Sequence, residues 1–279
     1  MWKIVEPGLR HLEKERIHCM TEISRIGIIG PGRMGRGIAL LMVLAGYPVE
    51  LVHYDRDKLD VAYGQIYQQM QGIKRRLGKN PKSIDQTMEL LRRQTSISNV
   101  LERNHLVIET IQENLQNKTK LFKTIMERNP SGPAILASNT SSFKIRELLE
   151  AGDSQWKHRF IGLHFLNPVL ESKLVEIVPL ETTHPIVVSK VQNLVTRLGK
   201  DHIICQDQPG FVVNRLLVPF LGEAINMVEK GLCSAKDIEK ACRLGLRHPI
   251  GPLKLVELIG RDTFEAVSKR LQNENKNSQ

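Results

Sequence analysis

Cysteine is scarce in this chain, and the cysteines that occur form no pattern. The 279 residues include 4 of them, Cys19, Cys205, Cys233 and Cys242, with no CxxC and no Cys/His pairing at metal-ligand spacing. Neither a disulfide framework nor a metal site is expected, and the thiols read as unpaired and reduced. Long hydrophobic runs are also missing. The longest apolar stretch, Ile38 to Ala45 with its flanks, is broken by Gly37, Gly46 and Pro48. It is too short to span a bilayer, so it reads as a buried helix and no membrane partner is expected. The N-terminus lacks the charged start, apolar centre and small-residue cleavage site of a signal peptide. Glu6, Glu13 and Glu15 argue against a transit peptide, a class poor in acids, so the expected compartment is the cytoplasm. Aromatics make up 5% of the chain and none is interleaved with its densest basic cluster, Lys74, Arg75, Arg76, Lys79 and Lys82. The net charge of +10 therefore points to a solvated helix face or to a phosphorylated small ligand, and nucleic acid is not expected.

What is present is ordinary in bulk, with 41% hydrophobic and 25% charged residues. Length slightly favours two domains. Residues 1–24 read as an extension of mixed charge. Arg25 to Ile29 is then a short β-branched run, followed by a glycine-dense turn, an apolar helix from Met34 to Ala45 and a second strand from Val49 to Tyr54. Such a β-turn-α-β unit should hold its strands parallel through a right-handed crossover. Residues 57–94 read as helical, interrupted around Gly78 to Pro81. Further strands are expected at Leu106 to Ile108, Ala134 to Ala137, Phe160 to His164 and Leu174 to Val178, with a helix from Asn114 to Arg128. After Asp207 to Gly210 only helices are expected, a long apolar one over 211–230 and another capped by Ser234 with Asp237 three residues on. Alternating strands and helices imply an α/β fold, a Rossmann-like, doubly wound and mostly parallel sheet. A smaller all-helical C-terminal domain follows. The expected division is an extension over 1–24, a nucleotide-binding domain over 25–206 and the helical domain over 207–279.

The turn Gly30-Pro-Gly32-Arg33-Met34-Gly35 satisfies GxGxxG in its required context, after a strand and before an apolar helix. Gly30 would permit the tight turn, Gly32 would let the main chain approach a pyrophosphate, and Gly35 would let helix and strand pack closely. The helix start would then aim N–H groups and its positive dipole end at the phosphates. An acid about 20 residues on should hold the adenosine ribose. Asp55 is the candidate, giving NAD as the expected cofactor. The alternative is that His53 with Arg56 tolerates a 2′-phosphate and the cofactor is NADP.

A hydride leaving a hydroxyl carbon needs a base for the hydroxyl proton, and histidine titrates in the right range. A carboxylate on the other ring nitrogen fixes the tautomer and stabilises the imidazolium. His164 lies in Gly162-Leu-His-Phe-Leu-Asn-Pro168, and Glu176 follows inside Lys173-Leu-Val-Glu-Ile-Val178. Glu176 alternates with Val175 and Ile177, so on pattern alone it could equally face solvent.

Taken together, GPGRMGRGIA (Gly30 to Ala39), ENLQNKTKLF (Glu113 to Phe122), SNTSS (Ser138 to Ser142), LHFLNP (Leu163 to Pro168), KLVEI (Lys173 to Ile177) and PGFVVNRLLVP (Pro209 to Pro219) resemble the 3-hydroxyacyl-CoA dehydrogenase family over roughly residues 24–265. The resemblance implies oxidation of an L-3-hydroxyacyl-CoA to the 3-ketoacyl-CoA with NAD, or the reverse. It implies His164 as acid/base with Glu176 orienting it, and Asn214 and Ser141 at the substrate. Arg33, Met34, Glu113, Lys118 and Asn167 would lie along the cofactor. Arg76 matches a lysine that the family turns toward CoA, and Gln69 stands where the family has a serine. An ungapped match also puts His53, rather than Asp55, at the ribose-binding acid. A homodimer through the helical domain is implied. The departures are the leader, a shorter segment between the second and third strands, two extra residues between Ser141 and His164, and an end at Gln279 before the family's glycine-aromatic signature.

Overall fold

The computed structural model describes residues 22–77, 83–128, 134–149 and 156–277. Its first half alternates β1 (Ile26–Ile29), α1 (Arg33–Leu44), β2 (Val49–Val52), α2 (Arg56–Leu77), α3 (Ile84–Met88), β3 (Leu91–Gln94), α4 (Ser98–Arg103), β4 (Leu106–Glu109), α5 (Leu115–Arg128) and β5 (Ile135–Ser138). Then come β6 (Phe160–Phe165), β7 (Leu174–Pro179), α6 (Pro185–Arg197) and β8 (Asp201–Ile204). The eight strands form one sheet in the order β3-β2-β1-β4-β5-β6-β7-β8, in which only the β6–β7 pair is antiparallel. Strand order reverses between β1 and β4, and in such sheets ligands bind beyond the carboxyl ends of the strands at that point.

The inner strands β1, β2, β4, β5 and β6 are buried along their whole length because helices cover both faces. One face packs Ile28, Leu40, Leu51, Ile66 and Ile161 together, and the other Val107, Phe122, Leu136, Trp156 and Phe160. The helical part, α7 (Val213–Glu229), α8 (Ala235–Lys240), α9 (Pro252–Ile259) and α10 (Arg261–Asn277), has its own cores around Leu221, Val267 and Ile238. Ser234 caps α8 as expected, accepting from the Asp237 N–H at 3.2 Å. Among the described residues no helix is long and apolar enough to cross a membrane.

Two strands differ from the sequence expectation, and both are edges. The segment read as helical up to residue 94 contains β3, and β8 had no counterpart in the reading. Leu-Arg-Arg-Gln and Asp-His-Ile-Ile are half-exposed and polar. An edge strand pairs on one side only and keeps charges there, so it lacks the apolar run that identifies an inner strand. The leader through residue 21, the expected interruption at Gly78 to Pro81 and Cys19 lie outside the described residues.

The glycine turn shows why close packing specifies its third member. A Cβ on Gly35 would run into the Gly30 carbonyl oxygen and lie 2.7 Å from Thr110 Oγ1. Gly35→Ala should therefore lower stability by about 1–3 kcal/mol through overpacking. Chemical denaturation measures this, and an unchanged midpoint would contradict it.

Candidate active site

The antiparallel β6–β7 pair sets His164 directly opposite Glu176. Twelve positions apart in sequence, the two become cross-strand neighbours because the chain reverses between Phe165 and Leu174. His164 Nδ1 lies 2.7 Å from Glu176 Oε2, and both residues are buried. An ionised carboxylate only accepts, so Nδ1 carries the proton and Nε2 is the ring nitrogen left for a ligand. Glu176 does not face solvent, the outcome its alternating pattern also allowed; β8 and the start of α7 cover it.

That cover supplies hydrogen bonds. Helix α7 has no side-chain cap of its own. The N–H groups of Val212 and Val213 instead donate to Glu176 Oε1, each at 2.9 Å. A remote carboxylate thus takes up orphan donors of a helix start and sits at its positive end. Cys205 Sγ lies 3.9 Å from the same oxygen. Burial, then the Glu176 charge, push the Cys205 thiol up to about 11, so it stays protonated as a donor. For Glu176, burial raises the pKa, but His164 and the two backbone N–H groups outweigh it and leave the carboxyl below its ordinary value.

A second polar cluster holds the loop after β5. Glu113 Oε1 accepts from Thr140 Oγ1 at 2.5 Å, Ser142 Oγ at 2.8 Å and the N–H groups of Ser141 and Ser142 at 3.0 Å. Lys118, 1% exposed, places Nζ 2.6 Å from Glu109 Oε1, 3.2 Å from Glu113 Oε2 and 3.3 Å from the Ile111 carbonyl. Its three N–H donors therefore all have protein partners. Glu109, absent from the sequence reading, is fully buried and also accepts from Ser138 Oγ at 2.6 Å and the Ile111 N–H at 2.7 Å. Burial raises its pKa against the pull of Lys118. For Glu113 burial is outweighed by Lys118 and the hydroxyl and backbone donors, which lowers it. The signal for Glu109 was an acid ending an otherwise apolar strand, nine positions before a lysine.

The residues at the first turn fit a dinucleotide pyrophosphate. Gly30 has φ +111°, open to glycine, and a Cβ on Gly32 would meet no protein atom within 4 Å. Protein packing does not demand glycine at position 32, whereas main-chain approach of a phosphate would. Gly30, Gly32, Arg36, His53 and Lys58 line a cleft of about 500 Å³. Asp55 is not on this wall. Its Oδ1 accepts from the Asp57 and Lys58 N–H groups at 3.0 and 3.2 Å, capping α2.

A larger cleft of about 690 Å³ adjoins it across the two domains. Arg33, Met34, Glu113, Lys118, Ser141, His164, Asn167 and Asn214 all line it, so most of the residues singled out in sequence converge. Asn214 Nδ2 lies 3.4 Å from the Ser141 carbonyl, joining the helical domain to the loop after β5. The side chains of Lys74, Arg75 and Arg76 lie outside the described residues, as do Lys79 and Lys82.

Two measurements follow from these contacts. Lys118→Met should cost about 3–5 kcal/mol by leaving buried Glu109 uncompensated, and adding Glu109→Gln should recover part of it; strict additivity in denaturation would contradict the pairing. For Glu176 the native pKa lies below the ordinary 4.5. Its stabilisation is present above pH 4.5 and lost as pH falls through the native value. The gap in unfolding midpoint between wild type and Glu176→Gln should therefore narrow on acidification, and a constant gap would contradict the assignment.

Comparison with known proteins agrees over nearly the whole chain. Residues 25–208 match the model of the 3-hydroxyacyl-CoA dehydrogenase NAD binding domain, and residues 210–279 match that of the family's C-terminal domain. The mitochondrial hydroxyacyl-coenzyme A dehydrogenase of Sus scrofa is 37% identical over 250 residues, 88% of this chain and 79% of the relative. A 3-hydroxybutyryl-CoA dehydrogenase of Mycobacterium tuberculosis is 34% identical over 253 residues, 90% of this chain and 87% of the relative. The crystal structure of (S)-3-hydroxybutyryl-CoA dehydrogenase from Ralstonia eutropha superposes with a TM-score of 0.84 at 33% identity, covering 91% of this chain and 88% of that one. By sequence, fold and the convergence of its polar residues on one cleft, the chain belongs to the 3-hydroxyacyl-CoA dehydrogenase family.

Proposed function

We propose that this protein interconverts L-3-hydroxyacyl-CoA and 3-ketoacyl-CoA as a nicotinamide-dependent dehydrogenase. The observation that carries the reading is the 2.7 Å contact between His164 Nδ1 and Glu176 in a cleft continuous with the glycine turn. His164 Nε2 takes the 3-hydroxyl proton as the hydride leaves C3, and returns it in the reverse direction. NAD, when bound, supplies the hydride acceptor. Glu176 holds the Nδ1 proton and stabilises the imidazolium, the division of labour that makes a histidine an effective base. Asn214 has both donor and acceptor groups to orient the substrate oxygen. Ser141, on the loop that Glu113 holds, offers a hydroxyl from the facing wall. Leu217, Val218, Leu255, Leu258, Phe264 and Val267 supply the apolar wall that an acyl chain needs.

Glu113 and Lys118 act in this reading mainly by positioning that loop. The CoA end is assigned to Lys74 to Arg76 on charge and on the match of Arg76 to the lysine that the family turns toward CoA. A homodimer is supported by exposed leucines concentrated in the helical domain, Leu216, Leu232, Leu244 and Leu246. The domain division near residue 207 is supported by the last strand ending at Ile204. Unpaired Cys205, Cys233 and Cys242 suit a reducing compartment such as the cytoplasm.

Nicotinamide absorbance with acetoacetyl-CoA and NADH tests the proposal. Turnover is expected in the wild type. His164→Ala should fall by roughly 10²–10⁴ in kcat with little change in NADH affinity. A near wild-type rate would remove His164 from the mechanism. Glu176→Gln should lower kcat far more than it raises KM, and a change confined to KM would assign Glu176 to binding instead.

A further inference from the structure

The geometry points to an adenosine pocket that accepts a 2′-phosphate, so that the protein binds NADP(H) at least as tightly as NAD(H). This rests on the dinucleotide reading above. Strand β2 pairs with β1 in unshifted parallel register, Ile29 beside Val52. The Gly30 N–H donates to the Val52 carbonyl at 3.0 Å, and the His53 N–H to Gln94 at 3.1 Å. Register thus fixes His53 as the residue that leaves β2 beside the glycine turn, with no slip that would bring Asp55 into its place. The position where a carboxylate would accept from the ribose hydroxyls is occupied by an imidazole.

His53 Nδ1 faces both the Asp55 N–H, at 3.1 Å, and the Asp55 carbonyl, at 3.4 Å. The shorter contact favours Nδ1 as acceptor, the tautomer in which Nε2 carries the proton as a donor. A donor suits a phosphate oxygen, whereas the usual acid would repel one. Two cations line the same cleft. Arg36 uses one N–H of Nη1 on the Pro31 carbonyl at 2.9 Å, and a guanidinium has four more. Lys58 lies across the cleft, with its Nζ 3.9 Å from Asp55 Oδ2. The one acid on the wall, Asp57, is exposed on the first turn of α2. Charge-assisted bonds from Arg36 and Lys58 to a dianionic phosphate would be the strong kind.

Calorimetric titration of the full chain with NADPH, NADH, 2′-AMP and 5′-AMP reads this without turnover. The expected result is NADPH at least as tight as NADH, and 2′-AMP tighter than 5′-AMP. His53→Asp should swing the NADPH:NADH affinity ratio about tenfold or more toward NADH. Lys58→Ala, an exposed substitution that leaves the sheet intact, should weaken NADPH and 2′-AMP selectively. NADH binding tenfold tighter than NADPH in the wild type would overturn the inference while leaving the dinucleotide reading in place. Binding of neither dinucleotide would overturn both.

Discussion

The carboxylate of Glu176 serves two parts of the molecule at once. One oxygen fixes the imidazole of His164 across the β6–β7 pair, and the other gathers the N–H groups that open α7. The sheet and the helical domain are thereby tied through the group that also sets the tautomer of the proposed base. Burial alone would favour a neutral carboxyl. His164 and the Val212 and Val213 N–H groups reverse that preference and keep the charge where it can stabilise an imidazolium. Loss of the helix start would loosen the carboxylate, and loss of the carboxylate would leave α7 uncapped.

The facing wall of the cleft is built on the same economy of buried charge. Lys118 lies between Glu109 and Glu113, and Glu113 in turn holds both N–H groups of the Ser141 loop. Neither Lys118 nor Glu113 Oε1 is left with spare hydrogen-bonding capacity for a ligand. Their contribution is to hold a loop at the carboxyl edge of the sheet in one geometry, opposite Asn214. Preorganisation of this kind keeps reacting groups from having to search for their positions.

Much of this was legible in the residues. The β1 run, the GxGxxG turn and the apolar α1 were explicit because inner strands and their covering helix carry unbroken hydrophobic signals. His164 and Glu176 could be named as partners only through the family resemblance, because their contact depends on the register of a hairpin. Edge strands β3 and β8 were invisible for the same reason that they are edges, being polar and half-exposed. Asp55 and His53 differ by two positions. Sequence spacing could not choose between them; parallel register with β1 brings His53 to the end of β2 beside the glycine turn, and Asp55 caps α2. Glu109 escaped notice because a lone acid closing an apolar strand resembles a solvent-facing end until the lysine from α5 is seen beneath it.

The protonation pattern of one imidazole tests the central claim most directly. Nitrogen NMR of selectively labelled histidine, assigned with the His164→Ala variant, distinguishes the two neutral tautomers. The account predicts that neutral His164 carries its proton on Nδ1, with a strongly downfield proton signal from the bond to Glu176. A predominance of the Nε2–H tautomer, with Nδ1 unprotonated beside the carboxylate, would contradict it.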